Sequence, residues 1–290
     1  MTAHGVSDDE LRRRYAQVFD DVAEEYDRER PSYPDELIDA ACRIAGLSAG
    51  DRVLEVGCGT GLLTASLVAR GLRVDAVDPG ANMLRLARRR VGSNAQVHFH
   101  QGRFEEVALP EGAFAAAFSA TAFHWIDPEV GWARAAGLLA PSGVLALLQN
   151  SNVWAAATID DWRALHAALV KVAPEIAAPW PEPRDADTIV SGARARSDNI
   201  SAVWSWIGRH ELTVPVAAGL FDDVQTTVVP VETEQTAAQL NAYFRTTSLY
   251  RRLEPGQREA LEAENRRVVE RAGGVVRSSE LGVLVTGRRV

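Results

Sequence analysis

The stretch Val53-Leu54-Glu55-Val56-Gly57-Cys58-Gly59-Thr60-Gly61-Leu62 decides the fold. A short apolar run ends in three glycines spaced by single residues, and apolar residues at helical spacing follow to Arg70. That is a buried strand, a tight turn and a helix. Glycine lets the backbone take conformations closed to other residues and lets a ligand approach closely. The helix beyond the turn offers free N–H groups and a partial positive charge. Such a turn holds a nucleotide-like or carboxylate-bearing ligand at the carboxyl ends of the strands.

The acids around the turn narrow the ligand. A dinucleotide fingerprint spaces its glycines G-x-G-x-x-G so that a pyrophosphate meets the helix end. Here the spacing is G-x-G-x-G, and Glu55 stands two residues before the first glycine. A carboxylate there repels a pyrophosphate but suits an ammonium group. The next strand ends at Asp78, where an acid can accept both hydrogen bonds of a ribose diol. An adenosine with an amino-acid tail meets both conditions, which describes S-adenosylmethionine.

Working outward, strand and helix patterns alternate. Strands are predicted at 52–56, 72–77, 96–100, 113–119 and 143–148, with helices at 35–45, 62–70, 81–90 and from Asp127-Pro128 onward. Strands alternating with helices give a parallel sheet covered on both faces. An earlier helix is predicted from Ser7, with Leu11, Tyr15, Val18, Phe19 and Val22 on one face, and must end at Arg30-Pro31. Past Asn150 the rhythm breaks. One helix is predicted at 160–172, then a proline-rich loop at 174–183, a strand at 224–229, helices at 236–248 and 256–271, and a closing strand at 283–286.

Several segments resemble class I S-adenosylmethionine-dependent methyltransferases. The glycine turn is similar to their first motif. Tyr26-Asp27-Arg28-Glu29-Arg30-Pro31-Ser32-Tyr33-Pro34, Val77-Asp78-Pro79-Gly80-Ala81-Asn82-Met83-Leu84, Phe104-Glu105 and Ala122-Phe123-His124-Trp125 resemble the small-molecule, type 11 or trans-aconitate-type branch. The resemblance covers residues 15–150 well and 235–288 loosely. It implies an α/β fold: a doubly wound, Rossmann-like, mostly parallel seven-stranded sheet with an antiparallel last strand and a helical cap or lid insertion. The expected division is a lid segment at 1–34, a cofactor-binding core at 35–150, a helical insertion at 151–221, and the rest of the core with two further cap helices at 222–290.

The resemblance also implies site roles. Gly57, Cys58, Gly59, Thr60 and Gly61 would line the methionine moiety, and Glu55 would orient that loop and the amino group. Asp78 would hold the ribose hydroxyls, Pro79 and Met83 would flank the adenine, and Phe104 and Glu105 would lie at its edge. Ser119, Ala120 and Thr121 would face the sulfonium, and Tyr26 and Arg30 would close over the cofactor. Trp125 and Tyr33 are the substrate-binding candidates. His124, at a strand end, is a candidate general base because imidazole titrates near neutral pH; Tyr33 is a second catalytic candidate. Two positions depart from the family pattern: Gly102-Arg103, where relatives carry an acidic or small residue, and Thr121, where they often carry glutamine.

The expected cofactor is S-adenosyl-L-methionine, leaving as S-adenosyl-L-homocysteine, and the expected partner is a small hydroxyl- or carboxyl-bearing methyl acceptor. A catalytically silent cofactor-binding module and a nicotinamide-dependent oxidoreductase are the alternatives. No metal is expected: only Cys42 and Cys58 are present, and His98 and His100 lack a third ligand. The 31 basic against 39 acidic residues give a net charge of −8, which argues against nucleic acid, and the Arg85, Arg88, Arg89, Arg90 cluster suits a helix end. No apolar run approaches the ~18–20 residues that span a membrane, and the start lacks a secretory pattern. The expectation is therefore a reduced, cytoplasmic monomer or homodimer. Five tryptophans, Trp154, Trp162, Trp180, Trp204 and Trp206, lie in the insertion and fit an apolar pocket or a small core equally well.

Overall fold

Strand β1 (Arg52–Val56) pairs in parallel with β2 (Arg73–Asp78) on one side and β4 (Phe114–Ala120) on the other. The computed structural model describes residues 19–93, 95–210 and 213–290. The helix predicted from Ser7 lies mostly outside them. Strand β3 (Val97–Gln101) flanks β2, and β5 (Leu139–Asn152) flanks β4, all parallel. β7 (Val276–Arg289) then pairs antiparallel with β5 and with the edge strand β6 (Phe221–Gln235). The sheet order is β3-β2-β1-β4-β5-β7-β6, the doubly wound arrangement expected, with the last strand reversed.

The elements form where the apolar pattern puts them. β1, β2 and β4 are buried almost throughout, as a parallel sheet covered on both faces requires. Side chains alternate between the faces. Leu54 and Val56 join the core with Trp132, Phe221 and Trp204, while Val53 joins Leu37, Leu63 and Leu67 on the opposite face. Helices α1 (Ala23–Glu29), α2 (Asp35–Ala45), α3 (Leu62–Ala69), α4 (Ala81–Val91) and α5 (Pro128–Leu138) connect this half. Asp127 caps α5 by accepting from the Glu129 N–H at 3.0 Å, with Pro128 at the first helical position.

The second half departs from the expected pattern. The proline-rich loop contains a short helix, α7 (Pro174–Ala177), after α6 (Ile159–Val172). Two unpredicted helices follow, α8 (Ala186–Arg194) and α9 (Ile200–Gly208). Their start signals were in the sequence: the Asp185 side chain accepts from the Thr188 N–H, and the Asn199 side chain from the Ser201 and Ala202 N–H groups. These helices pack Ile189, Val203, Trp204 and Ile207 on the sheet core. The strands run longer than predicted because β6 and β7 pair over their whole lengths as an antiparallel ribbon. Helices α10 (Ala237–Arg245), α11 (Ser248–Arg252) and α12 (Pro255–Arg271) pack with α6 in two small apolar clusters above the strand ends. No described helix is long and apolar enough to cross a membrane.

Candidate active site

One cavity of about 630 Å³ opens at the carboxyl ends of β1, β2 and β4. The glycine turn forms part of its floor. Gly59 has φ +53°, and a Cβ built there meets nothing within 4 Å, so its backbone borders open space. Gly61 is packed differently: its φ is +81° and a Cβ would lie 3.0 Å from Ala87 of α4. Asp78, at the end of β2, accepts from the Gly59 N–H at 2.9 Å and the Gly80 N–H at 2.8 Å. Each carboxylate oxygen keeps a lone pair for a further donor. Burial, reinforced by Asp20, raises the Asp78 carboxyl to about 6 against these two bonds.

The N-terminal segment covers this floor. Asp20 accepts from the N–H groups of Asn82 and Met83 at 2.8 and 3.0 Å, capping α4 from another part of the chain. The arginines at the end of α4 hold α1 in place: Arg85 pairs with Glu24 at 2.8 Å, and Arg90 pairs with Asp27. The basic cluster is thus a clasp within the chain. Arg30 lies between two aromatic rings, 5.1 Å from the Tyr26 centroid and 4.8 Å from that of Tyr243 on α10. It also donates to the Thr246 hydroxyl and carbonyl at 3.0 and 3.1 Å.

Of the residues singled out in the sequence, Tyr26, Arg30, Gly57, Gly59, Asp78, Pro79, Met83, Phe104, Glu105, Ala120, Thr121, His124 and Trp125 line the cavity. Tyr33, Glu55, Cys58, Thr60, Gly61 and Ser119 are not among its lining residues; they stand behind the wall. Strand alternation turns Glu55 to the Val53 face, where it accepts from the Thr64 hydroxyl at 2.6 Å. Burial raises its carboxyl to about 8. Ser119 donates to the Val56 carbonyl at 2.9 Å, and Tyr33 bonds the Thr121 hydroxyl at 2.5 Å, at a residue held at φ +51°. Burial pushes the Cys58 thiol well up, so it is an inert filler between two glycines. Glu105 accepts from Arg103 and from the Asp127 N–H, both at 3.0 Å, so it braces the loop.

His124 is half-buried and stacked on His210, with ring centroids 4.6 Å apart. Burial, then His210, pulls it down to about 3, and its Nδ1 has no hydrogen-bond partner. His100 pairs with Asp75 at 2.8 Å, an acid that also takes two bonds from Arg52. No group of three or more metal-ligating side chains occurs among the described residues.

The other half of the cavity was not legible residue by residue. Trp162, Leu165, His166 and Leu169 of α6, Leu240, Tyr243 and Phe244 of α10, Trp180, and Asn152, Ser278 and Glu280 at the ends of β5 and β7 line it. The tryptophans divide. Trp162 and Trp180 face the cavity, Trp204 is core, and Trp206 lies between Arg184 and Arg196, each 4.1 Å from its ring.

Comparison with known proteins places the chain in a family. Residues 53–143 match the methyltransferase domain family. An uncharacterized methyltransferase of Mycobacterium tuberculosis is 35% identical over 153 residues, which cover 49% of this chain and 76% of that protein. The chain belongs to the class I S-adenosylmethionine-dependent methyltransferases. A second uncharacterized M. tuberculosis methyltransferase is 39% identical over 141 residues, 49% of this chain, and that match spans 55%, about half, of the relative's length. Among solved structures, a candidate type II methyltransferase from Anaeromyxobacter dehalogenans aligns over 89% of this chain and 97% of its own, with a TM-score of 0.57 at 21% identity. The chain therefore shares its fold with that structure. The residues present fit the family's cofactor: an open glycine backbone, an acid with spare lone pairs at the end of β2, and the apolar Pro79, Met83 and Phe104 beside it.

Proposed function

We propose that the protein transfers a methyl group from S-adenosylmethionine to a small molecule with a hydroxyl or carboxyl acceptor. One observation carries this reading: the floor of Gly59 and Asp78 and the apolar half under α6 and α10 belong to a single cavity. Its volume falls within the ~300–1,000 Å³ of small-molecule sites, and the two halves are walled by different parts of the chain. The first holds the cofactor, with Asp78 on the ribose, Gly57 and Gly59 along the methionine backbone, and Pro79, Met83 and Phe104 around the adenine. Tyr26 and Arg30 close the chamber above it.

Bound there, S-adenosylmethionine supplies a methyl group already activated by a cationic sulfur. The chain contributes position. Holding an acceptor in line at ~3–3.5 Å can lower the barrier by several kcal/mol. Phe19, Trp125 and the α6 and α10 side chains exclude water from that line. Tyr33 fixes Thr121, and through it the turn after β4. His124, held neutral by burial, serves as a wall and not as the base, since a group with a pKa near 3 takes a proton poorly at neutral pH.

Calorimetric titration with S-adenosylhomocysteine tests the cofactor half, and a labelled-methyl assay over small hydroxyl and carboxyl compounds tests the reaction. Micromolar binding with turnover of one class supports the reading. Absence of binding removes it, and binding without turnover of any compound reduces the protein to a cofactor-binding module.

A further inference from the structure

Glu280 is a half-buried carboxylate on the cavity wall, without a hydrogen-bond or ion-pair partner among the described residues. It lies near the start of β7, where its neighbours in register are Asn152 of β5 and Val231 of β6, and it lines the acceptor half of the cavity. Among the described residues its carboxylate has no hydrogen bond and no ion pair within 4 Å. The nearby cations are engaged elsewhere. Arg30, whose charge reaches Glu280, is held by Thr246, Tyr243 and Tyr26. Arg277 pairs with Glu234 at 3.1 Å. Burial outweighs Arg30 and raises the Glu280 carboxyl above its ordinary value. A carboxylate that faces the cavity with no partner of its own is open to a donor from a ligand. Trp162, Leu165 and Phe244 give the same cavity much apolar surface, with Asn152, His166 and Ser278 among its polar lining.

We propose that Glu280 determines acceptor specificity: it receives a hydrogen bond from a hydroxyl group on an aromatic or aliphatic body and turns away carboxylates. This rests on the cofactor and acceptor halves assigned above, and it narrows the acceptor from hydroxyl or carboxyl to hydroxyl. A second carboxylate brought against Glu280 would meet like charge in a site of low dielectric, which costs far more than in water. An alcohol instead gives the unpaired oxygen its missing donor.

The test is binding to the full chain saturated with S-adenosylhomocysteine, followed by calorimetry with two probes of similar size, 2-phenylethanol and phenylacetate. Saturation itself is checked first, so a failure of the cofactor assignment appears before either probe is added. The loaded wild type should bind the alcohol at least about tenfold more tightly than the acid, the scale of one like-charge contact. Glu280→Gln should tighten phenylacetate about tenfold and move 2-phenylethanol little, because the amide keeps an acceptor oxygen and gains a donor. Glu280→Asp, which keeps the charge, should retain the wild-type ratio and shows whether substitution alone disturbs the wall. Equal binding of the two probes by loaded wild type, no binding of either, or a ratio unchanged in Glu280→Gln would each overturn the proposal.

Discussion

Arg30 donates from Nε to the Thr246 hydroxyl at 3.0 Å, joining the N-terminal segment to the end of α10 across the mouth of the cavity. Thr246 is fully buried and its carbonyl takes a second bond from the same guanidinium. Arg30→Ala leaves these groups short of a donor and removes the cation between Tyr26 and Tyr243. Lost hydrogen bonds to a charged group cost about 1–3 kcal/mol, so urea denaturation should show a loss of that order. An unchanged midpoint would mean that the junction does not hold in solution.

The glycine turn makes two separable demands. At Gly59 a side chain points into open cavity, so Gly59→Val should leave a folded protein, weakened by the positive φ, that no longer binds S-adenosylhomocysteine. At Gly61 a Cβ presses on the Ala87 backbone, so Gly61→Ala should lower thermal stability. Circular dichroism melts and calorimetry on both variants separate the effects. A Gly59→Val protein with wild-type affinity would place the ligand elsewhere.

Asp78 should make cofactor affinity depend on pH. Its carboxyl is raised by burial to about 6, and a ribose hydroxyl donates best to the ionised form. Affinity for S-adenosylhomocysteine should therefore rise from pH 5 to pH 7 and level off above. Asp78→Ala should bind about 1–3 kcal/mol more weakly, the cost of bonds to a charged group, with a flat profile. A slope that persists in the variant assigns the titration to another group.

Glu55 should make stability fall between the ordinary carboxylate range and about pH 8. Its folded value near 8 lies above the unfolded value, so the folded chain holds a proton that the unfolded chain releases. Stability from this group is present at low pH and declines as pH rises toward about 8. Glu55→Gln, which keeps an acceptor for Thr64, should flatten the fall in melting temperature between about pH 5 and pH 8. Parallel curves for wild type and variant would show that Glu55 is already ionised when folded.

His124→Ala should reduce turnover less than about tenfold, short of the ~10²–10⁴-fold expected for loss of a general base. The cost should appear in stability instead, through the lost stack on His210. A loss of a thousandfold at unchanged cofactor affinity would restore the imidazole to the chemistry.

The half proposed for the cofactor is legible because its signals are local. Gly57, Gly59 and Gly61 follow one strand, and Asp78 ends the next, so spacing along the chain reports position in space. Which way Glu55 points was not local. Alternation along β1 turns it to Thr64, and only the pairing of β1 between β2 and β4 fixes that face. The acceptor half is harder still. Trp162, Tyr243 and Glu280 come together through the packing of α6 and α10 over the β7 end, and an amphipathic pattern does not say which apolar face meets a ligand. The helices at 186–208 were missed for a different reason: their caps, Asp185 and Asn199, follow a proline-rich run that reads as loop.

The strands and glycine turn proposed to hold the donor lie within 53–143, the part this chain has in common with its family. The surfaces that would choose the acceptor come from α6, α10 and the first residues of β7. A chimera carrying only residues 53–143 from this protein should inherit affinity for the nucleoside but not the preference for what is alkylated. Grafting the segments at 152–180 and 235–280 onto a relative should carry that preference with them.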